Sequence, residues 1–210
     1  MPASVAAQLK VDDMKRVIIH WTAGTNKAGA DDREHYHFIV EGSGKVVAGI
    51  HEPEANESTA TPHAEHTRRL NTGSIGVALA GMHGAQDRPF KAGKYPLKNE
   101  QLDAMAVLLA DLCDTYGIEV TRETVLSHAE VQPTLGVVQS GKWDITWLPG
   151  LTNAIDPIEA GDALRNRVKV EMQRHKPPQR PTAPTPVIDT QPPARGLLGW
   201  LAAIFKGWTQ

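Results

Sequence analysis

The stretch 15-KRVIIHWTAG-24 contains a short apolar run that ends in a histidine. Three β-branched residues in a row, from Val17 to Ile19, are typical of a strand buried inside a domain. His20 lies at the carboxyl end of this predicted strand, where side chains from neighbouring strands can meet. A histidine in this position is a candidate for metal binding or catalysis, and equally a candidate for a structural role.

Four further segments predict strands, and they are HYHFIVEG (35–42), KVVAGI (45–50), SIGVALAG (74–81) and TVLSH (124–128). The EGSG sequence at 41–44 predicts a hairpin turn. Apolar residues recur every three or four positions from Leu102 to Tyr116, before Gly117, which predicts an amphipathic helix with a glycine stop. A second helix is predicted from Asp156, a capping residue followed by Pro157. Mixed strands and helices predict one α/β domain.

The composition limits the classes of protein that need consideration. With 210 residues, 40% of them hydrophobic and 22% charged, the chain can bury one sizeable core. A net charge of −2 gives no reason to expect nucleic acid as a partner. The single cysteine, Cys113, excludes an intrachain disulfide framework and fits a reducing compartment. Residues 1–13 lack the apolar segment of a signal peptide, so synthesis in the cytoplasm without a leader is expected.

Composition also divides the chain into four predicted segments. These are an N-terminal extension (1–13), a domain (14–173), a proline-rich linker (174–195) and an apolar tail (196–210). The tail is shorter than the roughly 17–25 residues that span a bilayer as a helix. It is therefore hypothesised to be a short helix that contacts a membrane surface, with docking on the domain as the alternative.

Three side chains form a hypothetical metal site. His20 and His128 both lie at ends of predicted strands, and Asp144 follows His128 after a loop. Two neutral imidazoles and one carboxylate would leave the fourth tetrahedral position of zinc open, as catalytic zinc sites require. Spacing alone is a weak argument, and Glu130 is an alternative carboxylate.

Four blocks of sequence together resemble one enzyme family. They are VIIHWTAG (17–24), HYHFIVEGSGKVV (35–47), HAEHTRRLNTGSIGVALAG (63–81) and SHAEVQPTLGVVQSGKWD (127–144). In this order they resemble the zinc-dependent N-acetylmuramoyl-L-alanine amidases, which include phage amidases and peptidoglycan recognition proteins. The resemblance covers about residues 14–172. It implies a central mixed sheet flanked by helices, with a zinc cleft on one side.

The resemblance also implies roles for individual residues. His20, His128 and Asp144 would hold one Zn²⁺ per chain. Tyr36 matches a tyrosine that orients the attacking water, and Lys142 matches a cleft lysine that stabilises the developing oxyanion. Without the resemblance, Tyr36 would be interpreted as a core aromatic residue.

Other positions of the family pattern are less specific. Some relatives carry a proton-transferring glutamate where this chain has Ala78, which shifts that task to Tyr36 or another carboxylate. His63, Asn71 and Thr72 match residues that line the substrate groove. The alternatives are a solvated basic loop around His63 and His66, and turn formation by Asn71.

The activity implied is hydrolysis of the amide bond between N-acetylmuramic acid and L-alanine in bacterial peptidoglycan. A monomeric phage or prophage endolysin, acting at the cell wall after release, would combine this domain with the apolar tail. The alternatives are a non-catalytic peptidoglycan-binding module of the same fold, and an unrelated metallohydrolase or histidine-rich α/β domain whose likeness is accidental.

Overall fold

The computed structural model describes residues 14–175. The predicted N-terminal extension, the tail and all but the first two residues of the predicted linker lie outside them. The strands are β1 (Arg16–Trp21), β2 (Phe38–Val40), β3 (Val46–Ala48), β4 (Ser74–Leu79) and β5 (Val125–Ser127). The helices are α1 (Ala30–His35), α2 (Asn99–Tyr116), α3 (His128–Leu135) and α4 (Pro157–His175), with a 3₁₀ turn at Pro53–Glu57.

The five strands form one mixed sheet in the order β3-β2-β4-β1-β5. β1 is parallel to β4 and β5, β2 is parallel to β4, and the antiparallel edge strand β3 pairs with β2 through the predicted hairpin. The α/β domain with a central mixed sheet, predicted above, is confirmed.

Alternation along β1 sends its side chains into two different layers. Val17, Ile19 and Trp21 belong to the main core. Ile18 faces the other way, into a smaller cluster with Leu126 of β5. His20 shares the parity of Ile18, so its ring points to the same side of the sheet as that smaller cluster.

The main core is closed by the two long helices. α2 contributes a row of apolar residues that includes Leu102, Met105 and Leu109, and α4 contributes Leu164 and Val168. Gly117 ends α2 in a left-handed conformation with φ of 64°, as the sequence predicted. Asp156 begins α4 by accepting backbone hydrogen bonds from residues 158 and 159.

Two local predictions were wrong. The segment HYHFIVEG is not a strand throughout, because His35 ends α1 and the strand begins only at Phe38. The residues after β5 were interpreted as a loop, whereas His128 is the first residue of α3. None of the helices within 14–175 is long and apolar enough to span a membrane.

Candidate metal centre

Parallel strand pairing brings the two predicted histidines together. Ile19 of β1 is in register with Ser127 of β5, so the next residues, His20 and His128, emerge side by side from the sheet. Their rings lie 4.7 Å apart between centroids. The expectation that strand ends bring these side chains together is confirmed.

Asp144 reaches the same place from the segment that follows α3. Its neighbours anchor it, because Trp143 packs edge-to-face on Trp21 at 4.6 Å and Ile145 is fully buried. The backbone oxygen of Asp144 accepts a hydrogen bond from the amide of Ala129, in the first turn of α3. The carboxylate is therefore held against the start of α3 rather than carried on a free loop.

The three side chains converge on a small buried volume. Asp144 Oδ2 lies 3.1 Å from His20 Nδ1 and 3.2 Å from His128 Nδ1. One ligand atom from each residue falls within 4.8 Å of the others. All three residues are buried, with Asp144 only 7% exposed.

The outer nitrogen of His128 is held by Gln139. His128 Nε2 lies 2.8 Å from Gln139 Oε1, while Gln139 Nε2 donates to the backbone oxygen of Arg68 at 3.0 Å. The carbonyl of Arg68 fixes the orientation of the amide, because it can only accept. His128 Nε2 must therefore carry the proton, which leaves a lone pair on Nδ1.

The outer nitrogen of His20 is held by His66 and Thr67. His20 Nε2 lies 3.3 Å from both His66 Nδ1 and Thr67 Oγ1. His66 Nε2 faces the carbonyl of Ser74 at 3.2 Å and must donate to it. The Nδ1 of a neutral His66 is then an acceptor, so His20 Nε2 carries a proton and its Nδ1 presents a lone pair.

The inner atoms are therefore all acceptors that face one another. Burial lowers the pKa of His20 to about 4, so its ring is neutral at pH 7. When both rings are neutral, two nitrogen lone pairs and a carboxylate oxygen at these distances repel one another unless a cation lies between them. This donor set fits zinc with three protein ligands.

The two predicted catalytic residues come from different parts of the chain. Tyr36 is partly buried at the end of α1, and its ring is 5.1 Å from that of His20. Burial raises the pKa of the Tyr36 phenol, which therefore stays protonated at neutral pH. Lys142 is exposed, and it lines a cleft of about 760 Å³ together with Phe90 and Trp143.

The three predicted groove residues lie in the loop before β4. His63 is partly exposed and contacts the carbonyl of Thr61, in a depression next to α1. Asn71 accepts a hydrogen bond from the amide of Thr67 and shapes the loop, as its turn interpretation suggested. Thr72 is exposed. None of the three belongs to the cluster of ligand atoms.

Positions 78 and 130 show whether a further carboxylate takes part in the site. Ala78 is in register with His20 on β4, so the sheet offers no acidic side chain at that point. Glu130 is buried, but it bonds the amide of Ser127 and the guanidinium of Arg165. It supports the start of α3 and is not an alternative ligand.

Sequence analysis missed His66 and Gln139. His66 was grouped with a solvated basic loop, yet it is 7% exposed and packs on β4. A Cβ on Gly76 would lie only 2.5 Å from the His66 ring, so glycine at 76 makes room for it. The signal that could have indicated this is the glycine in SIGVAL, two residues after the start of β4.

A second buried histidine lies nearby. His37 Nδ1 accepts from the amide of Gly76 at 2.9 Å, and His37 Nε2 donates to Asn56 Oδ1 at 3.1 Å. Asn56 is oriented in turn, because its amide group donates to the carbonyl of Ala64 and its Oδ1 accepts from the amide of the same residue. Both ring nitrogens of His37 are satisfied.

A buried two-histidine, one-carboxylate cluster at the carboxyl ends of parallel strands defines an α/β protein with a candidate hydrolytic metal centre. The model of the N-acetylmuramoyl-L-alanine amidase family matches residues 10–150, and the chain belongs to this family. By family it is a peptidoglycan amidase. The resemblance of the four sequence blocks is thus confirmed, and the alternative of an unrelated metallohydrolase was wrong.

Several solved structures are similar to the chain. The endolysin LysCS of Clostridium intestinale is 16% identical, with 74% of this chain and 86% of that chain covered and a TM-score of 0.43. The E. coli amidase AmiD, in complex with an anhydro-N-acetylmuramic acid tripeptide, is 24% identical over 61% of this chain and 53% of that one, with a TM-score of 0.43. The Ph2119 endolysin of a Thermus scotoductus bacteriophage is 18% identical over 60% and 79%, with a TM-score of 0.39. No curated protein sequence matches significantly.

Proposed function

We propose that the protein is a zinc-dependent amidase that hydrolyses the bond between N-acetylmuramic acid and L-alanine in peptidoglycan. Family membership supports the substrate and the type of bond. The observation that carries the metal dependence is the convergence of His20 Nδ1, His128 Nδ1 and Asp144 Oδ2, whose lone pairs face one another in a buried site.

Zinc held by these residues would polarise the scissile carbonyl and lower the pKa of water in the open position. Tyr36 lies beside His20, and its protonated phenol is suited to orient the attacking water by a hydrogen bond. Lys142 lies two residues from Asp144, where its ammonium is suited to stabilise negative charge that develops on the carbonyl oxygen. We assign the binding of substrate groups next to the scissile bond to the cleft lined by Lys142 and Trp143, which precede Asp144 in the chain.

The proposed biological role is that of a monomeric endolysin that acts at the bacterial cell wall. The substrate lies outside the cytoplasmic membrane, and the apolar residues 196–210 with Arg195 and Lys206 are a sequence suited to a membrane surface. Deletion of residues 196–210 tests the membrane contact. Unchanged binding to liposomes that contain anionic lipids would refute it.

Digestion of purified peptidoglycan tests the activity directly. The protein is incubated with sacculi, with and without a chelator, and new L-alanine amino termini and new reducing sugar ends are assayed separately. Chelator-sensitive amino termini without reducing ends are expected. Reducing ends would indicate a glycosidase, whereas sacculi that bind the protein but stay intact would indicate the non-catalytic module.

A further inference from the structure

We propose that the segment His66–Arg68 is a positioning element that fixes the tautomers of both metal-binding histidines. The inference rests on the proposed metal site. The segment lies in the loop before β4 and contributes no ligand atom to the cluster. It acts on the cluster by two routes, directly through the side chains of His66 and Thr67 and indirectly through Gln139, which is bonded to the carbonyl of Arg68.

The first route runs through the side chains of His66 and Thr67 to His20. Consider the alternative in which His20 Nε2 is unprotonated. Its lone pair would then face the lone pair of His66 Nδ1 at 3.3 Å, unless His66 moved its own proton to Nδ1. That move would leave His66 Nε2 facing the carbonyl of Ser74 without a proton, at 3.2 Å. Either choice buries two acceptors against each other, which is costly.

The hydroxyl of Thr67 is compatible with protons on Nε2 of both His20 and His66. Its hydroxyl lies 2.9 Å from His66 Nδ1 and 3.3 Å from His20 Nε2. A hydroxyl can donate to His66 while it accepts from His20. The network is thus consistent when His20 and His66 both carry their protons on Nε2.

The second route runs through the backbone of Arg68 to His128. The carbonyl of Arg68 receives the amide hydrogen of Gln139, which turns Gln139 Oε1 toward His128 Nε2. Gln139 is 4% exposed, and its backbone amide donates to Gln132 Oε1 at 3.0 Å. Hydrogen bonds therefore hold both the backbone and the side chain of Gln139.

The two routes have a common effect on the inner atoms. If either histidine carried its proton on Nδ1, that N–H would donate to Asp144 and the ring would lose the lone pair that a metal needs. By holding both protons on Nε2, the segment keeps both Nδ1 atoms ready for a metal before it arrives. The partner of the outer nitrogen is known to matter for metal affinity by about 10- to 100-fold.

Two variants of His66 separate positioning from packing. In His66→Asn, the amide oxygen is attached to Cγ, as Nδ1 is, and can still accept from His20. In His66→Gln, the amide group is one bond farther out, so it can reach the carbonyl of Ser74 but loses the acceptor near His20. We expect zinc affinity, measured by competition with a chromophoric chelator, to fall about 10- to 100-fold in His66→Gln and much less in His66→Asn.

Gln139 and a distant histidine complete the series. Gln139→Leu removes the acceptor for His128 and is expected to lower zinc affinity by a similar factor of about 10 to 100. His83→Gln, on an exposed loop, is the matched control and should bind zinc as the parent does. Equal zinc affinity in His66→Gln, Gln139→Leu and the control would overturn the inference.

Nitrogen-15 NMR of the metal-free protein provides a test that needs no variant. Long-range correlations of the imidazole rings should show His20 and His128 with the proton on Nε2, and a mixture of tautomers for His20 in His66→Gln. Protons on Nδ1 in the parent protein would overturn the inference even where zinc binds. Correct tautomers in a protein that does not bind zinc would instead refute the proposed metal site, so the two failures are distinguishable.

Discussion

Two buried histidine sites lie on this sheet, that of His37 and that of His20 and His128. They differ in whether every ring nitrogen has a complementary hydrogen-bond partner. His37 accepts from a backbone amide on one nitrogen and donates to Asn56 on the other, so every polar atom has a complementary partner. His20 and His128 have complementary partners only on their outer nitrogens, and their inner nitrogens face the acceptor Asp144. Burial is the same in both sites. The difference lies in the group that faces the lone pair of the ring nitrogen, because the backbone amide of Gly76 is a donor and the carboxylate of Asp144 has no donor.

This contrast shows why burial alone does not identify a metal-binding histidine. A closed network such as that of His37 stabilises the fold without a ligand. A cluster whose lone pairs converge is destabilising until a cation enters, so it persists only where the surrounding structure holds it. The predictions below test whether the two sites differ in this way.

The largest effect is expected from removal of an inner ligand. His20→Ala, His128→Ala and Asp144→Ala should each lower zinc affinity by more than about 100-fold, because they remove a ligand rather than its support. His37→Gln should leave zinc affinity unchanged, as expected for a closed structural site. Isothermal titration of zinc into the metal-free proteins measures both, and zinc loss in His37→Gln would remove the distinction between the sites.

A smaller effect is expected from the groups around the metal centre that are not ligands. Tyr36→Phe and Lys142→Ala should keep stoichiometric zinc and lower kcat by about 100-fold, because each removes a group that acts on the reacting atoms. Release of L-alanine amino termini from sacculi measures the rate. A fully active Tyr36→Phe enzyme would exclude the role given to Tyr36.

The buried ring of His37 predicts a pH dependence of the free energy of unfolding. Burial, which disfavours the charged ring, lowers the pKa of His37 to about 4, below the usual value near 6.5. The unfolded chain therefore binds the proton first as pH falls. The stabilisation is complete above pH 6.5 and is lost between about 6.5 and 4, with a slope of at most about 1.4 kcal/mol per pH unit for this group.

Urea unfolding of the metal-free protein between pH 4 and 7.5 measures this slope. Burial also lowers the pKa values of His20 and His66, which add to the slope with the same sign, so the comparison must be made with His37→Gln. The variant should show a shallower dependence than the parent. Identical slopes would mean that His37 does not contribute to the pH dependence of the free energy of unfolding.

The smallest effect is expected when the carboxylate of Asp144 is replaced by an amide. Asp144→Asn places an amide donor where two nitrogen lone pairs converge, and it should make the site resemble that of His37, whose lone pair accepts from the amide of Gly76. We expect the metal-free variant to gain about 1 kcal/mol in free energy of unfolding, the size of one hydrogen bond, while its zinc affinity drops. Destabilisation of the metal-free variant would show that the acceptors in the parent do not repel.

Sequence reasoning brought His20 and His128 together because strand periodicity and parallel pairing are local rules. The apolar run before His20 and the one before His128 predict two strands, and their ends meet when the strands are neighbours. The choice of Asp144 over Glu130 needed the family resemblance, since the place of Asp144 depends on a loop whose path no periodicity specifies. The helix that begins at His128 was missed because Pro133 interrupts its pattern.

The supporting residues could not be predicted for a different reason. His66, Thr67 and Gln139 are polar residues in segments without regular structure, and such segments are usually solvated. Their burial depends on contacts between parts of the chain far apart in sequence, such as Gln139 with Arg68. Hydrogen-bond direction, which decides their role, becomes visible only in three dimensions.

Gly76 links the two histidine sites through a single position. Its amide bonds the ring of His37, and the ring of His66 occupies the space where a side chain would be. The choice of residue at 76 is therefore constrained by both sites at once, although it has no side chain of its own. In a library of variants, positions 37, 66 and 76 should tolerate change only in combination, so selection for metal binding would restrict sequence diversity one strand away from the ligands.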